Sequence, residues 1–545
     1  LLPGFAGPSP ALGRTAVLPF SFGSFLRLLR AGLVLARAGV FSDLDPAILP
    51  PAARLPLRLA RLLGPRRAIT PMAKAAGGLA NLPAAISRLG PSYVKLGQFL
   101  ATRPDVVGTR VSQELELLQD RMAPFPRQVA IATIEAAFGK PLDLIFTSFE
   151  EPVAAASIAQ VHKAWVQGSE EDGEVAVKVL RPGVERFFKR DLSDMYFAAR
   201  FAERWSSEAR RLKLIEVVDT LARTVTMEMD FRLEAAAASE FAENTAQDKD
   251  FCVPKVDWDR TTKEVLTLEW VDGTPLSDVQ ALARKGYDLQ DLGRNVIHSF
   301  LRTAMRDGFF HADMHRGNLF VDPQGRLTAV DFGIMGRLGF KERRFLAEIL
   351  YGFIKRDYRR VAEVHFEAGY VPRVHRVEDF AQALRAIGEP IHSRPADQIS
   401  MAKLLTLLFE ITGLFDMKTR TELVLLQKTM VVTEGVARML DPKLDVWKTA
   451  EPVVGEWIEQ NLGAIGKLQD AGRAASTLAR LAASFPSALL RGENILEQLE
   501  GMAQNGVVLS EEAVAKIGKA EARGARLGHI ALWLIVVIGI LMLLR

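Results

Sequence analysis

Cysteine is nearly absent. Cys252 is the only thiol in 545 residues, so no internal disulfide can hold the fold, and a reducing compartment is expected. Acidic residues are scarce at the start. Residues 1–70 hold nine Arg, no Lys, no Glu and only Asp43 and Asp45, a balance of +7 in a chain whose total is +4. This excess sits on an arm rich in Leu and Phe, not as a stripe on a folded domain. It argues against nucleic acid as a partner and suits an anionic membrane surface. The arm also fits an Arg-rich, acid-poor transit segment. An initiating Met is missing too, so a partial or processed chain is expected.

Long uncharged apolar runs are rare until residues 527–544, LGHIALWLIVVIGILMLL, 18 residues without Lys, Arg, Asp or Glu. At 1.5 Å per residue this run reaches about 27 Å, close to a bilayer core, and it reads as a transmembrane helix. Lys516, Lys519, Arg523 and Arg526 precede it and only Arg545 follows, which places the large domain on the cytoplasmic side.

With 49% hydrophobic residues, 25% charged and 30 Phe, the remainder has ample material for a core. Phe25–Phe41 is helix-like, with Arg27, Arg30 and Arg37 on one arc of roughly 80°, either solvated or facing a membrane. Residues 71–150 read as helices broken at Gly90-Pro91. Residues 151–345 mix helices with β-type runs at Glu174–Leu180, Val265–Trp270, Leu319–Val321 and Leu327–Val330, and 346–510 read as helical again.

The chemistry-bearing pattern is His311-Ala312-Asp313-Met314-His315-Arg316-Gly317-Asn318, followed by Asp331-Phe332-Gly333. Asp313 and Asn318 have the spacing of a kinase catalytic loop. The hairpin between, turning at Asp322-Pro323-Gln324-Gly325, would hold the two loops together. Phosphoryl transfer uses such a set: Asp313 as base or orienter of the acceptor, Asn318 and Asp331 as Mg²⁺ ligands. A rival reading takes His311, Asp313 and His315 as a metal-hydrolase cluster, but no other His is spaced to complete it.

Upstream, Val175-Ala176-Val177-Lys178 is a strand ending in a phosphate-ordering Lys. Its carboxylate partner is sought in Met227–Glu234, read as continuing an amphipathic helix with Leu214, Val218, Leu221 and Val225. Asp230 and Glu234 lie one turn apart there, a repulsion that Lys178 or Mg²⁺ would relieve. The glycine-rich loop of kinases is lacking. Ala154, Ala155, Ala156 and Ser157 stand in its place, and their Cβ atoms penalise the positive φ and close approach that Gly permits, so nucleotide handling is expected to differ.

Together these elements resemble the UbiB family of atypical, protein-kinase-like kinases involved in ubiquinone biosynthesis. Lys95-Leu96-Gly97-Gln98 matches the family's K-x-G-Q helix, Glu228-Met229-Asp230 its E-x-D motif, and Ala154–Ser157 its alanine-rich loop. The resemblance implies an α+β, two-lobed protein-kinase-like fold with an N-terminal helical extension, a helical C-terminal region and a C-terminal transmembrane helix. It makes Glu234 the partner of Lys178, and Glu269 and Val271 part of the hinge that meets adenine. It puts Lys95 and Gln98 over the acceptor pocket near Glu228 and Asp230. The implied activity is that of an atypical kinase or ATPase using ATP or ADP with Mg²⁺, held at a bacterial inner membrane or, alternatively, a mitochondrial one. Anionic lipids and quinone-biosynthesis intermediates or enzymes are the implied partners. Two other functions stay open: a true protein or small-molecule kinase, and a nucleotide-gated scaffold for quinone intermediates. Two departures stand out. Relatives often end in two spans, and the E-A-x-N run reads Glu234-Ala235-Ala236-Ala237 here.

Overall fold

Alternation along one strand organises the upper half of the molecule. In a computed structural model, Gly173–Leu180 (β3) turns Val175, Val177 and Val179 to one face and Lys178 and Leu180 to the other. The structure describes residues 22–38, 40, 81–101, 103–115, 118, 122–167, 173–205, 207–392, 411, 414–417 and 421–463. β3 lies between Ala159–Val166 (β2) and Val265–Glu269 (β5) in an antiparallel sheet completed by Ser148–Ala155 (β1), in the order β1-β2-β3-β5. The register sets Val161 and Leu266 beside Lys178.

Each face of this sheet is covered by helices. The valine face meets Arg127–Phe138, whose Ala130 and Ile134 are fully buried. That helix lies within the stretch read as a purely helical extension to residue 150, and β1 begins inside it at Ser148. The lysine face packs on Val184–Trp205, Leu214–Glu228 and Phe231–Thr245 through Phe188, Leu221, Phe231 and Ala235. Tyr93, Leu96 and Phe99 of helix Pro91–Ala101 join the same cluster.

The lower half carries the motif loops on short strands. Phe251–Cys252 (β4), Leu327–Ala329 (β9), Leu319–Val321 (β8) and Thr274–Pro275 (β6) form a second sheet in that order. The hairpin between β8 and β9 forms as expected, turning at Asp322 with Gly325 at φ +85°. Phe309–His311 (β7) pairs with Met335–Arg337 (β10). Helices Leu289–Arg302, Phe340–Lys355, Tyr358–Glu367, Val377–His392, Thr421–Leu440 and Val446–Leu462 build the remainder. The chain divides into Leu1–Ile458 and Glu459–Arg545, the latter described only over its first residues.

Two expectations need correction. The helix read through Met227–Glu234 is two helices, because Asp230 leaves helical geometry (φ −117°, ψ 93°) and its carboxylate caps the next helix at the Arg232 amide. Arg27, placed on a solvated or membrane-facing arc of helix Phe22–Arg37, instead binds Asp194 through two hydrogen bonds of 2.6 and 2.7 Å. Asp194 is 1% exposed, so its charge requires that partner. No helix among the described residues is long and apolar enough to cross a membrane. The apolar run at 527–544 lies outside them, as does most of the Arg-rich arm.

Candidate functional site

Lys178 is the meeting point of three distant segments. Its Nζ donates to Glu234 Oε1 and Oε2 at 2.7 and 2.9 Å and to Asp331 Oδ1 at 3.3 Å. The lysine reaches both because β3 turns it toward the helical face, where Asp230 has restarted the chain so that Glu234 occupies the first turn of its helix. The trio carries two carboxylates and one ammonium. Burial pushes Glu234 up to about 7, against the pull of Lys178. Partial burial works to raise Asp331, but the Lys178 ammonium and the Gly333 amide hold it well below the carboxylate range. Lys178 is itself held above its usual value: burial opposes this, and the carboxylates outweigh it.

The two motif loops lie side by side, as the hairpin required. Val330 N–H donates to the Asn318 carbonyl at 3.1 Å and Ala312 N–H to Ile334 at 3.0 Å. The His311 and Phe332 rings lie 5.6 Å apart. Asn318 Nδ2 donates to the Asp313 carbonyl at 3.2 Å, closing the catalytic-type loop on itself. Asp313 keeps a third of its side chain open, with His315 Nε2 3.7 Å from its Oδ2. Among the described residues no three His, Cys, Asp or Glu side chains gather as a metal site, so the His311–Asp313–His315 metal cluster is not formed.

A hard divalent cation fits the donors that are present. Asp331 supplies an ionised carboxylate with 45% of its side chain exposed, and Asn318 supplies an amide oxygen. Mg²⁺ takes few protein oxygens and fills the rest of its shell with phosphate and water. A cation there would also offset the excess carboxylate charge around Lys178.

Ala154 and Ala155 end β1, and Ala156 and Ser157 begin the turn to β2, where a glycine-rich loop would sit. It is strapped from behind. Met122 N–H donates to the Ala155 carbonyl at 3.2 Å, and Arg181 Nη2 to the carbonyls of Ala123 and Ala156. Gln160 clasps Phe125 at both backbone groups, accepting from its N–H at 2.9 Å and donating to its carbonyl at 3.2 Å. Residues without glycine's freedom are thus held in one pose by fixed partners.

Lys95 lies 2.7 Å from Glu228 Oε2, both side chains 11% exposed. Gln98, half-buried, follows three residues later on the same helix. Gly97 packs closely on Leu118, whose Cδ1 would have to shift to admit a Cβ there. Asp230, expected to face Lys178 or a metal, is instead held by Arg232 Nε and Nη2 at 2.8 and 2.6 Å. The Arg232 hydrogen bond keeps its carboxyl low. Glu269 ends β5 with its amide on the Lys255 carbonyl, and half-buried Val271 follows in the segment joining the two sheets. Sequence reasoning passed over Gln160, Arg181 and Thr429. The last donates to the Ala312 carbonyl at 2.9 Å from 117 residues away. No local pattern marks such long-range bonds.

Residues 117–365 match the model of the ABC1 atypical kinase-like domain, and residues 384–445 that of the UbiB helical domain. A protein of Marinobacter nauticus named probable protein kinase UbiB is 39% identical over 448 residues, 81% of this chain and 80% of that one. Its namesake in Azotobacter vinelandii is 42% identical over 389 residues, 70% and 72% of the two chains. A solved Mycobacterium tuberculosis structure, titled as a complex of Rv3197 with erythromycin, aligns at a TM-score of 0.48 and 25% identity, covering 70% of this chain and 96% of that one.

Proposed function

The chain belongs to the UbiB family of atypical kinases, and on that premise we propose that it binds ATP or ADP with Mg²⁺ and transfers the terminal phosphoryl group, most often to water. The supporting observation is the convergence of Lys178 on Glu234 and Asp331. Lys178 would order the phosphates while Glu234 fixes the ammonium. Asp331 and Asn318 would hold the metal, which supplies charge neutralisation at the phosphates. Asp313 accepts a hydrogen bond from the acceptor and orients it. Glu269 and Val271 border the adenine end. Ala154–Ser157, fixed by its strap, covers the phosphates in place of a flexible loop. Lys95 and Gln98, with Glu228, would limit access for larger acceptors, which favours water. Asp230 serves this site by shaping the helix start that delivers Glu234.

The wider role follows from the family reading: support of ubiquinone biosynthesis at a bacterial inner membrane, with the catalytic domain cytoplasmic. The uncharged run 527–544 would anchor the chain, and the Arg-rich arm would meet anionic lipid. Calorimetry with Mg-ATP and a phosphate-release assay on the full chain test this reading. Turnover is expected to be altered by anionic vesicles and lost in Asp331→Asn. Undiminished turnover in the pure Asp331→Asn protein removes the metal assignment.

A further inference from the structure

The peptide bond entering Asp313 is gripped on both sides. Its N–H donates to His311 Nδ1 at 3.1 Å, and its carbonyl, on Ala312, accepts from Thr429 Oγ1 at 2.9 Å. Thr429 lies in helix Thr421–Leu440, inside the segment matching the UbiB helical domain. It is 1% exposed and Ala312 3%, so water does not compete for either group.

The Thr429 hydroxyl has one proton and two acceptors in reach, the second being the Leu425 carbonyl at 2.8 Å. Leu425 sits four residues back in the same helix, where the Thr429 amide is its ordinary partner. Ala312 lies outside the strands, and among the described residues Thr429 is the donor its carbonyl has. Leaving that carbonyl bare costs more than forgoing a second bond to a satisfied one, so the proton serves Ala312. On the other side, the fully buried His311 ring accepts the Asp313 N–H at Nδ1. A neutral ring accepting at Nδ1 carries its proton on Nε2. With both its polar groups held, the peptide plane cannot rotate, and that plane sets the direction of the Asp313 side chain.

We propose that Thr429 is a positioning residue: together with His311 it locks the Ala312–Asp313 peptide and so aims the Asp313 carboxylate at the phosphoryl acceptor. The proposal rests on the role given to Asp313 above. It makes the helical domain part of the catalytic geometry, since a side chain outside the kinase-like segment at 117–365 fixes the group that meets the acceptor.

Thr429→Val, Thr429→Ser and Thr433→Val are compared in the full chain by phosphate release, Mg-ATP calorimetry and amide hydrogen exchange across residues 311–314. Thr433 is the control, a buried hydroxyl on the same helix bonded to the Thr429 carbonyl. Thr429→Val is expected to lower kcat about tenfold or more, within the range that a misaligned acid–base group loses, with nucleotide affinity unchanged. It should also speed exchange at Asp313. Thr429→Ser restores most of both, and Thr433→Val changes neither. Wild-type kcat and exchange in Thr429→Val, or equal losses in Thr433→Val, overturn the proposal. If Thr429→Val does not fold, Thr429→Cys, with its weaker donor, replaces it. A wild type that binds nucleotide without turnover defeats the function reading instead. The lock is then judged on exchange alone, and unchanged exchange in Thr429→Val overturns it.

Discussion

Lys95 and Glu228 form an enclosed ion pair of 2.7 Å between the K-x-G-Q helix and the end of helix Leu214–Glu228. Six residues after Glu228, Glu234 takes Lys178. A charge on helix Pro91–Ala101 is thus tied to the short run of chain that also delivers the carboxylate on Lys178.

Removing Lys95 leaves Glu228 enclosed without its counter-charge. Lys95→Met is expected to lower stability by about 3 kcal/mol, and Glu228→Gln added to it to recover a good part. Urea unfolding of the two single variants and the double variant measures the coupling. Additive losses would mean that the pair does not couple the two helices.

The proton held by Glu234 gives stability a definite pH dependence. Its carboxyl titrates higher in the folded chain, at about 7 against an ordinary 4.5, chiefly through burial. The native state therefore holds the extra proton, and the group's stabilising contribution is complete below about pH 4.5 and lost as pH rises through about 7. Glu234→Gln cannot titrate and should lack that fall. Melting curves of both proteins from about pH 5 to about pH 8 test it, and parallel pH profiles would discard the assignment.

Gln160→Leu keeps the side-chain bulk but strips both bonds from the Phe125 backbone. The cost expected is about 1–3 kcal/mol of stability. The alanine turn then loses part of its backing, so Mg-ATP binding should weaken while turnover at saturation changes little. Calorimetry beside a saturating phosphate-release assay separates the two effects. Unchanged affinity in a destabilised protein would confine Gln160 to a structural role.

What could be read from residues alone was what local spacing encodes. Lys178 on its alternating strand, and Asp313, Asn318 and Asp331 around a hairpin, needed only period-two patterning and a turn. The break at Asp230 was hidden because the apolar positions before it and Glu234 after it suit one helix. The visible signal was an Asp poised to cap. Arg27 could not be assigned, since Asp194 is 167 positions away and a stripe of Arg looks alike whether solvated or docked. The same holds for Thr429, whose acceptor is a backbone carbonyl and leaves no trace in side-chain pattern.

The capped break at Asp230 makes an elbow of what would otherwise be a single shaft. A shaft carrying both Glu228 and Glu234 would leave a single helix direction to satisfy Lys95 and Lys178 together. With the corner, each carboxylate sits on its own helix and keeps its own lysine, Glu228 on Lys95 and Glu234 on Lys178.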